Sequence, residues 1–156
     1  MSKGEDTKAA ILDEAVTIAS EVGFAGLTIG QLAERTGMSK SGLFAHFKSK
    51  EELDLATIAT AAEIFERDVL RPAMAKPAGL QRLRALADEF LMHLERKIFP
   101  GGCFFAAAAA ELDTRPGPAR DRVAQVLEGW LSLLNQCYVD AQANQEIAPD
   151  ADIAQA

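Results

Sequence analysis

The chain has 156 residues and a mass of 16.7 kDa, enough for about one domain that buries roughly two-thirds of its unfolded surface without a metal or a disulfide. A composition of 49% hydrophobic and 25% charged residues excludes a disordered chain, and 11 Gly with 6 Pro are too few for a fibrous one. The formal net charge of −7 excludes a uniformly basic nucleic-acid coat protein but permits a local basic patch. Cys103 and Cys137 form no CxxC, and His46 and His93 do not complete a zinc set with them, so no metal and no cofactor is expected. No secretory signal and no run of about 18 apolar residues is visible, which predicts a cytoplasmic protein with reduced thiols and no membrane contact.

Hydrophobic periodicity predicts helices throughout. Ile11, Ala15, Ile18 and Val22 give a first helix over about 7–22, which Gly23-Phe24-Ala25-Gly26 ends. Thr28 with Gln31 has capping-box spacing and opens a short second helix, with Gly37 as its left-handed C-cap. Ser39 caps a third helix over about 40–46. Ser49 with Glu52 is a second capping box and opens a fourth, which carries Leu55, Ile58, Ala62, Phe65 and Val69 and which Pro72 ends. A fifth helix from about residue 78 presents Leu80, Leu83, Ala87, Phe90 and Leu94. After Pro100-Gly101-Gly102 comes Cys103–Leu112, apolar on nearly every side with Glu111 its one charge, a pattern that predicts burial on most sides. Beyond Arg115-Pro116-Gly117-Pro118, a last long helix carries Val123, Leu127, Trp130, Leu134 and Cys137.

Ile29 to Phe47 fits a helix-turn-helix, two short helices packed steeply across a tight turn. Counting from Ile29, Ala33 is the fifth residue, where only a small side chain lets the helices approach. Gly37 is the ninth, where the turn needs a positive φ. Leu32, Met38 and Leu43 would lock the pair. Residues 35–50 contain Arg35, Lys40, Lys48 and Lys50 and no acid, so this window is +4 within an acidic chain.

The stretch Leu27–Leu53, LTIGQLAERTGMSKSGLFAHFKSKEEL, closely resembles the DNA-binding domain of the tetracycline-repressor (TetR) family, as does the preceding helix with its Gly23-Phe24 exit. The resemblance is strong over about residues 8–55 and architectural beyond them. It implies an all-α fold, with a three-helix DNA-binding domain over 1–50 and a helical ligand-binding and dimerisation domain over 51–156. It further implies a homodimeric regulator of transcription, usually a repressor and not an enzyme, that a small effector releases from a palindromic operator in double-stranded DNA. The implied DNA contacts are Thr28, Ser39, Lys40, Ser41, Gly42, Phe44, His46, Lys48 and Lys50. Lys40 and Ser41 match base-facing positions, and Lys40 can bond guanine O6 and N7. Thr28, His46, Lys48 and Lys50 match the phosphate-facing side, although Lys50 is equally placed to pair with Asp54. Gly42 stands where the family often has Thr, and Phe44 where Tyr is common, so two polar contacts are missing and Phe44 is left to touch a thymine methyl.

In the C-terminal half the family binds its effectors between helices, which points to Phe90, His93, Cys103, Phe104 and Trp130 as the candidate ligand set for a largely apolar molecule. A thiol redox-sensing DNA-binding regulator using Cys103 is the alternative, because a cysteine at a helix N-terminus has a lowered pKa. Cys103 and His93 as nucleophile and base lack a third orienting residue at recognisable spacing. Two more helices usually follow in the family and form the dimer interface. Gln145–Asp152 looks like the connection into the first of them, and Ile153–Ala156 is too short to form a helix alone, so the sequence reads as truncated before its dimerisation helices.

Overall fold

The computed structural model describes residues 3–149, which form helices and connections, with no strand among them. The chain divides into two compact units, Met1–Glu63 with Lys97–Ala124, and Ile64–Arg96 with Gln125–Ala156. In the first unit, residues 97–124 return to pack on the helix that precedes the helix-turn-helix.

In the first unit α1 (Lys3–Gly26) is interrupted at Gly23, whose φ of 76° and ψ of 175° are not helical. Its buried side is Ile11, Ala15, Val16, Ile18 and Ala19. The predicted caps all form. Thr28 Oγ1 accepts from Gln31 N–H at 3.1 Å and starts α2 (Ile29–Thr36). Gly37, at φ 66°, closes α2 by donating its N–H to the Ala33 carbonyl. Ser39 Oγ accepts from Gly42 N–H and starts α3 (Lys40–His46). Ser49 Oγ accepts from Glu52 N–H and starts α4 (Lys50–Phe65). The Glu52 carboxylate reaches one residue further back than a capping box requires, accepting from Lys48 N–H at 2.9 Å. The three hydroxyl bonds each satisfy an N–H that a helix start leaves orphaned.

The second unit begins where α4 widens into a π-helical turn, Glu66–Leu70, and tightens again into α5 (Arg71–Met74). Pro72 does not end the helix as expected. It lies in the first turn of α5, where its missing N–H costs no helical bond, and the chain stays helical to Met74. On α6 (Leu80–Glu95) the inward residues are Leu86 and His93, and Ala87 is exposed. Of the predicted stripe, Leu80, Leu83, Phe90 and Leu94 are half-buried beside them, so the buried face is centred on Leu86 and His93. Ala73, Leu86 and Cys137 form the centre of this unit, with Leu70, Leu83, Trp130, Leu133 and Leu134 packed on them.

The helix α7 (Phe104–Leu112) is one-sided, contrary to its apolar composition. Phe104, Phe105, Ala108 and Leu112 are buried, but Ala106, Ala107 and Ala110 are exposed. Alanine is the strongest helix former and needs no burial to be helical. The last helix, α8 (Pro118–Ala143), runs through both units. It ends at Gln145, which has φ 59°, with Glu146 N–H donating to the Ala141 carbonyl. Asp150–Asp152 of the segment read as a connection to further helices, and Ile153–Ala156 after it, lie outside the described residues.

Both units use one device. A glutamate carboxylate far along the chain caps backbone N–H groups beside a glycine of positive φ. Glu146 accepts from Leu80 N–H at 2.8 Å next to Gly79, φ 101°. Glu111 accepts from Phe24 and Ala25 N–H, both at 2.8 Å, next to Gly23. A Cβ on either glycine would stand within 2.4 Å of that carboxylate.

Candidate nucleic-acid interface

The helix-turn-helix is built from its apolar face outward. Leu27, Leu32, Leu43 and Phe47 are fully buried, which fixes α3 with one side in the core. The other side carries Lys40, Ser41 and Phe44, all exposed. Ser39 and Ser41 share a hydroxyl–hydroxyl bond of 3.1 Å. Lys40 extends back toward α2, where its Nζ lies within 3.9 Å of the point a Cβ on Gly30 would occupy. Gly42 is half-buried, and its missing side chain leaves the Ser39 cap uncrowded.

The basic window is less free than its formal charge. Arg35 pairs with Glu14 at 3.2 Å and Glu21 at 3.4 Å. Lys50 donates to the Phe24 carbonyl at 3.0 Å and to Asp54, and its ammonium lies 5.9 Å from the Phe24 ring centre. Burial holds the Asp54 carboxyl above its ordinary value, opposed by the Lys50 hydrogen bond. Lys50 thus joins α4 to the end of α1 and makes the Asp54 pairing that its spacing allows. The ammonium groups of Lys40 and Lys48 pair with no carboxylate among the described residues. Thr28 is exposed at the start of α2, and His46 is half-buried with its ring 6.4 Å from Phe47.

The junction below this surface was missed in the sequence. Phe24 is held at three points: its N–H by Glu111, its carbonyl by Lys50, and its ring edge-on to Phe104 at 5.8 Å. Gly101 N–H donates to Ser20 Oγ at 2.8 Å, closing the same side of α1. Lys8 also lies over the Phe47 ring, at 5.2 Å. The available signal was Glu111 itself, a lone charge in an alanine-rich helix.

The candidate effector residues separate between the units. Phe104 is buried in the first, against Phe24, Phe99 and Phe105, and Cys103 is half-buried at the N-cap of α7. Phe90, His93 and Trp130 gather on Phe65 in the second, with ring centres 6.1, 5.8 and 5.4 Å from it. His93 is only 3% exposed, and its Nδ1 lies 3.9 Å from Asp68, whose carboxylate accepts two bonds from Arg67. Burial depresses the His93 pKa below 6.5, Asp68 opposes that, and Arg67 and Arg96 add to it. The native state therefore holds His93 neutral while the unfolded chain takes up a proton below pH 6.5. The stability His93 supplies is complete above that pH and declines as pH falls through it toward the folded value. Urea unfolding at pH 7.5 and 5.5 should show the loss, and His93→Leu should flatten it. Asp68, held low chiefly by the Arg67 hydrogen bond, acts below its ordinary 3.8, outside this window.

Family models match at two places. Residues 11–57 match the bacterial regulatory proteins of the tetR family, and residues 79–156, half the chain, match the tetracyclin repressor-like C-terminal domain. The chain belongs to the TetR family of transcriptional regulators. The transcriptional regulator AcuR of Cereibacter sphaeroides is 24% identical over 137 residues, covering 85% of this chain and 61% of AcuR. The HTH-type transcriptional regulator RutR of Escherichia coli is 29% identical over 145 residues, covering 86% and 66%. The chain thus spans less than two-thirds of these curated relatives. A TetR transcriptional regulator from Chloroflexus aurantiacus superposes with a TM-score of 0.88 at 29% identity, covering 99% of this chain and 78% of that one. AibR, solved in complex with isovaleryl coenzyme A and operator DNA, gives 0.75 at 23% identity over 91% and 75%, a likeness of fold. No helix among the described residues is long and apolar enough to cross a membrane.

Proposed function

We propose that this TetR-family chain is a cytoplasmic repressor that reads a palindromic operator as a homodimer and leaves it when a small apolar effector binds. The observation that carries the DNA reading is the two-sidedness of α3. Leu43 and Phe47 anchor it, and Lys40, Ser41 and Phe44 face outward on a helix that a major groove can admit. Lys40 reads a guanine. Thr28 and Lys48 take phosphates, with His46 beside them. The half-buried rings of Phe90 and Trp130 in the second unit support an apolar effector there.

Selection of bound duplexes from a random pool tests this reading directly, because a twofold-symmetric dimer requires inverted half-sites about one helical turn apart or a multiple of it. Lys40→Ala is expected to relax preference at one base pair per half-site, at a cost of roughly 1–3 kcal/mol. Lys48→Ala should weaken all duplexes alike and lower the slope of log K against log salt by about 0.9. Lys50→Ala should leave that slope unchanged and lower the melting temperature instead, since its ammonium is engaged within the fold. A Lys50→Ala protein with wild-type stability and a reduced salt slope would restore Lys50 to the interface.

A further inference from the structure

The first unit holds a cavity of about 270 Å³ between the end of α1, the Gly101 loop and α7, and every residue that lines it belongs to that unit. Its apolar wall is Ala108 with the rings of Phe24 and Phe104, all buried. It opens to solvent past Glu21 and Ala107, which are exposed. Among the described residues that line it, Glu21 and Glu111 are acidic and none is basic. Glu21 is drawn to Arg35 at 3.4 Å. Glu111 Oε1 takes the Ala25 N–H and lies 3.6 Å from the exposed Arg115, whereas Oε2 takes the Phe24 N–H. A carboxylate oxygen accepts at two positions, so Oε2 can accept once more. Ser20, only 7% exposed, accepts from Gly101 N–H at 2.8 Å, and its own proton goes to no acceptor among the described residues. A dry cavity of about 150 Å³ holds a benzene molecule, so this one has room for a phenyl ring and a short polar arm.

We propose that this cavity is a binding site for a small organic ammonium ion, its charge on Glu111 Oε2 and its apolar body on Phe104 and Ala108. A wall that carries carboxylate and no cation attracts a positive ligand and repels an anion. A buried ammonium must be paired, and Oε2 supplies the charged partner while the rings take the body out of water. A neutral alcohol gains an uncharged bond there, roughly half as strong. The site shares no residue with the rings that gather on Phe65, so it is additional to any effector bound among them.

The test melts the full chain at neutral pH with phenethylamine, with phenethyl alcohol as its neutral analogue and with phenylacetate as an anion of like size. A ligand of about nine heavy atoms binds in the millimolar range. At ten times its Kd it multiplies the folded-to-unfolded ratio by about eleven, which for a chain of this size raises the melting temperature by about 3–6 °C. Phenethylamine should give that rise and saturate, phenethyl alcohol should give less, and phenylacetate none. Ala107→Leu sets a larger side chain at the mouth, where the helix is exposed and leucine suits it. Its ligand-free melting temperature should match that of the wild type, and the amine should no longer raise it. Glu111→Gln removes the charge and should make amine and alcohol equal. Trp130→Phe, in the second unit, should keep the full rise. The inference is overturned by the absence of a saturable rise up to about 50 mM amine, by a rise that survives Ala107→Leu or vanishes in Trp130→Phe, or by equal rises with amine and phenylacetate. None of these readouts involves DNA, so the repressor reading stands or falls separately.

Discussion

Gly101→Ala is expected to destabilise the protein by about 3 kcal/mol, the upper end of what overpacking costs. A Cβ at Gly101 would stand 1.6 Å from the Ser20 carbonyl oxygen and 2.5 Å from its carbon. Ser20 lies within α1, where a carbonyl cannot swing aside without breaking helical bonds. The loop cannot retreat cheaply either, because Gly101 N–H donates to Ser20 Oγ at 2.8 Å and Phe99 and Phe104 on its flanks are buried. Gly102→Ala is the natural control. Its φ of 99° strains an alanine, yet nothing lies within 4 Å of the added carbon, so roughly 1–2 kcal/mol is expected from backbone strain alone. Chemical denaturation of both variants separates contact from strain. Equal losses would mean that the loop moves away from α1 freely.

Glu111→Ala should cost about 2–3 kcal/mol, because it strips two charge-assisted bonds from the Phe24 and Ala25 N–H groups. Gly23 breaks the helical ladder, so Phe24 and Ala25 begin a new turn with orphaned donors. The Glu111 carboxylate supplies one oxygen to each, at 2.8 Å. Glu111→Gln keeps a single acceptor oxygen and should lose roughly half as much. Arg115, 3.6 Å from Glu111 and mostly exposed, contributes little, and Arg115→Ala should be nearly silent. The functional consequence follows from position. Phe24 and Ala25 lead within three residues to the Thr28 cap of α2, so loosening them also loosens the entry of the helix-turn-helix. The Glu111→Ala chain should therefore lose affinity for selected and random duplexes together, with its base preferences unchanged.

Local chemistry made the DNA-binding half legible. A cap needs a hydroxyl three residues before a free N–H, and Thr28, Ser39 and Ser49 each stand at that spacing. A tight turn between two helices needs a residue at positive φ, and Gly37 stands there. The period of Leu32, Leu43 and Phe47 determined which side of the motif is inside. These rules act within a few residues, so the sequence carries them in full. They failed where a neighbouring turn changed the local rule, as at Pro72, which a π-helical turn accommodates, and where alanine's helix propensity was taken for burial, as at Ala106, Ala107 and Ala110.

Charge was the least legible property, because a charge has no period and its partner is chosen by the fold. The sequence shows four cations and no acid over residues 35–50. Tertiary structure pairs Arg35 with Glu14 and Glu21 from α1 and turns Lys50 onto Phe24 and Asp54, leaving Lys40 and Lys48 toward solvent. His93 follows the same logic. Its place on α6 could be counted, but its burial beside Asp68 depends on a π-helical turn more than twenty residues earlier. The Glu111 cap joins residues 86 and 87 positions apart. By itself the sequence determined the helices, their caps and the outward face of α3, since each follows from spacing along one helix. Only tertiary structure decided which charges remain free and which carboxylate holds α1 to α7, since those pairings form between elements brought together by folding.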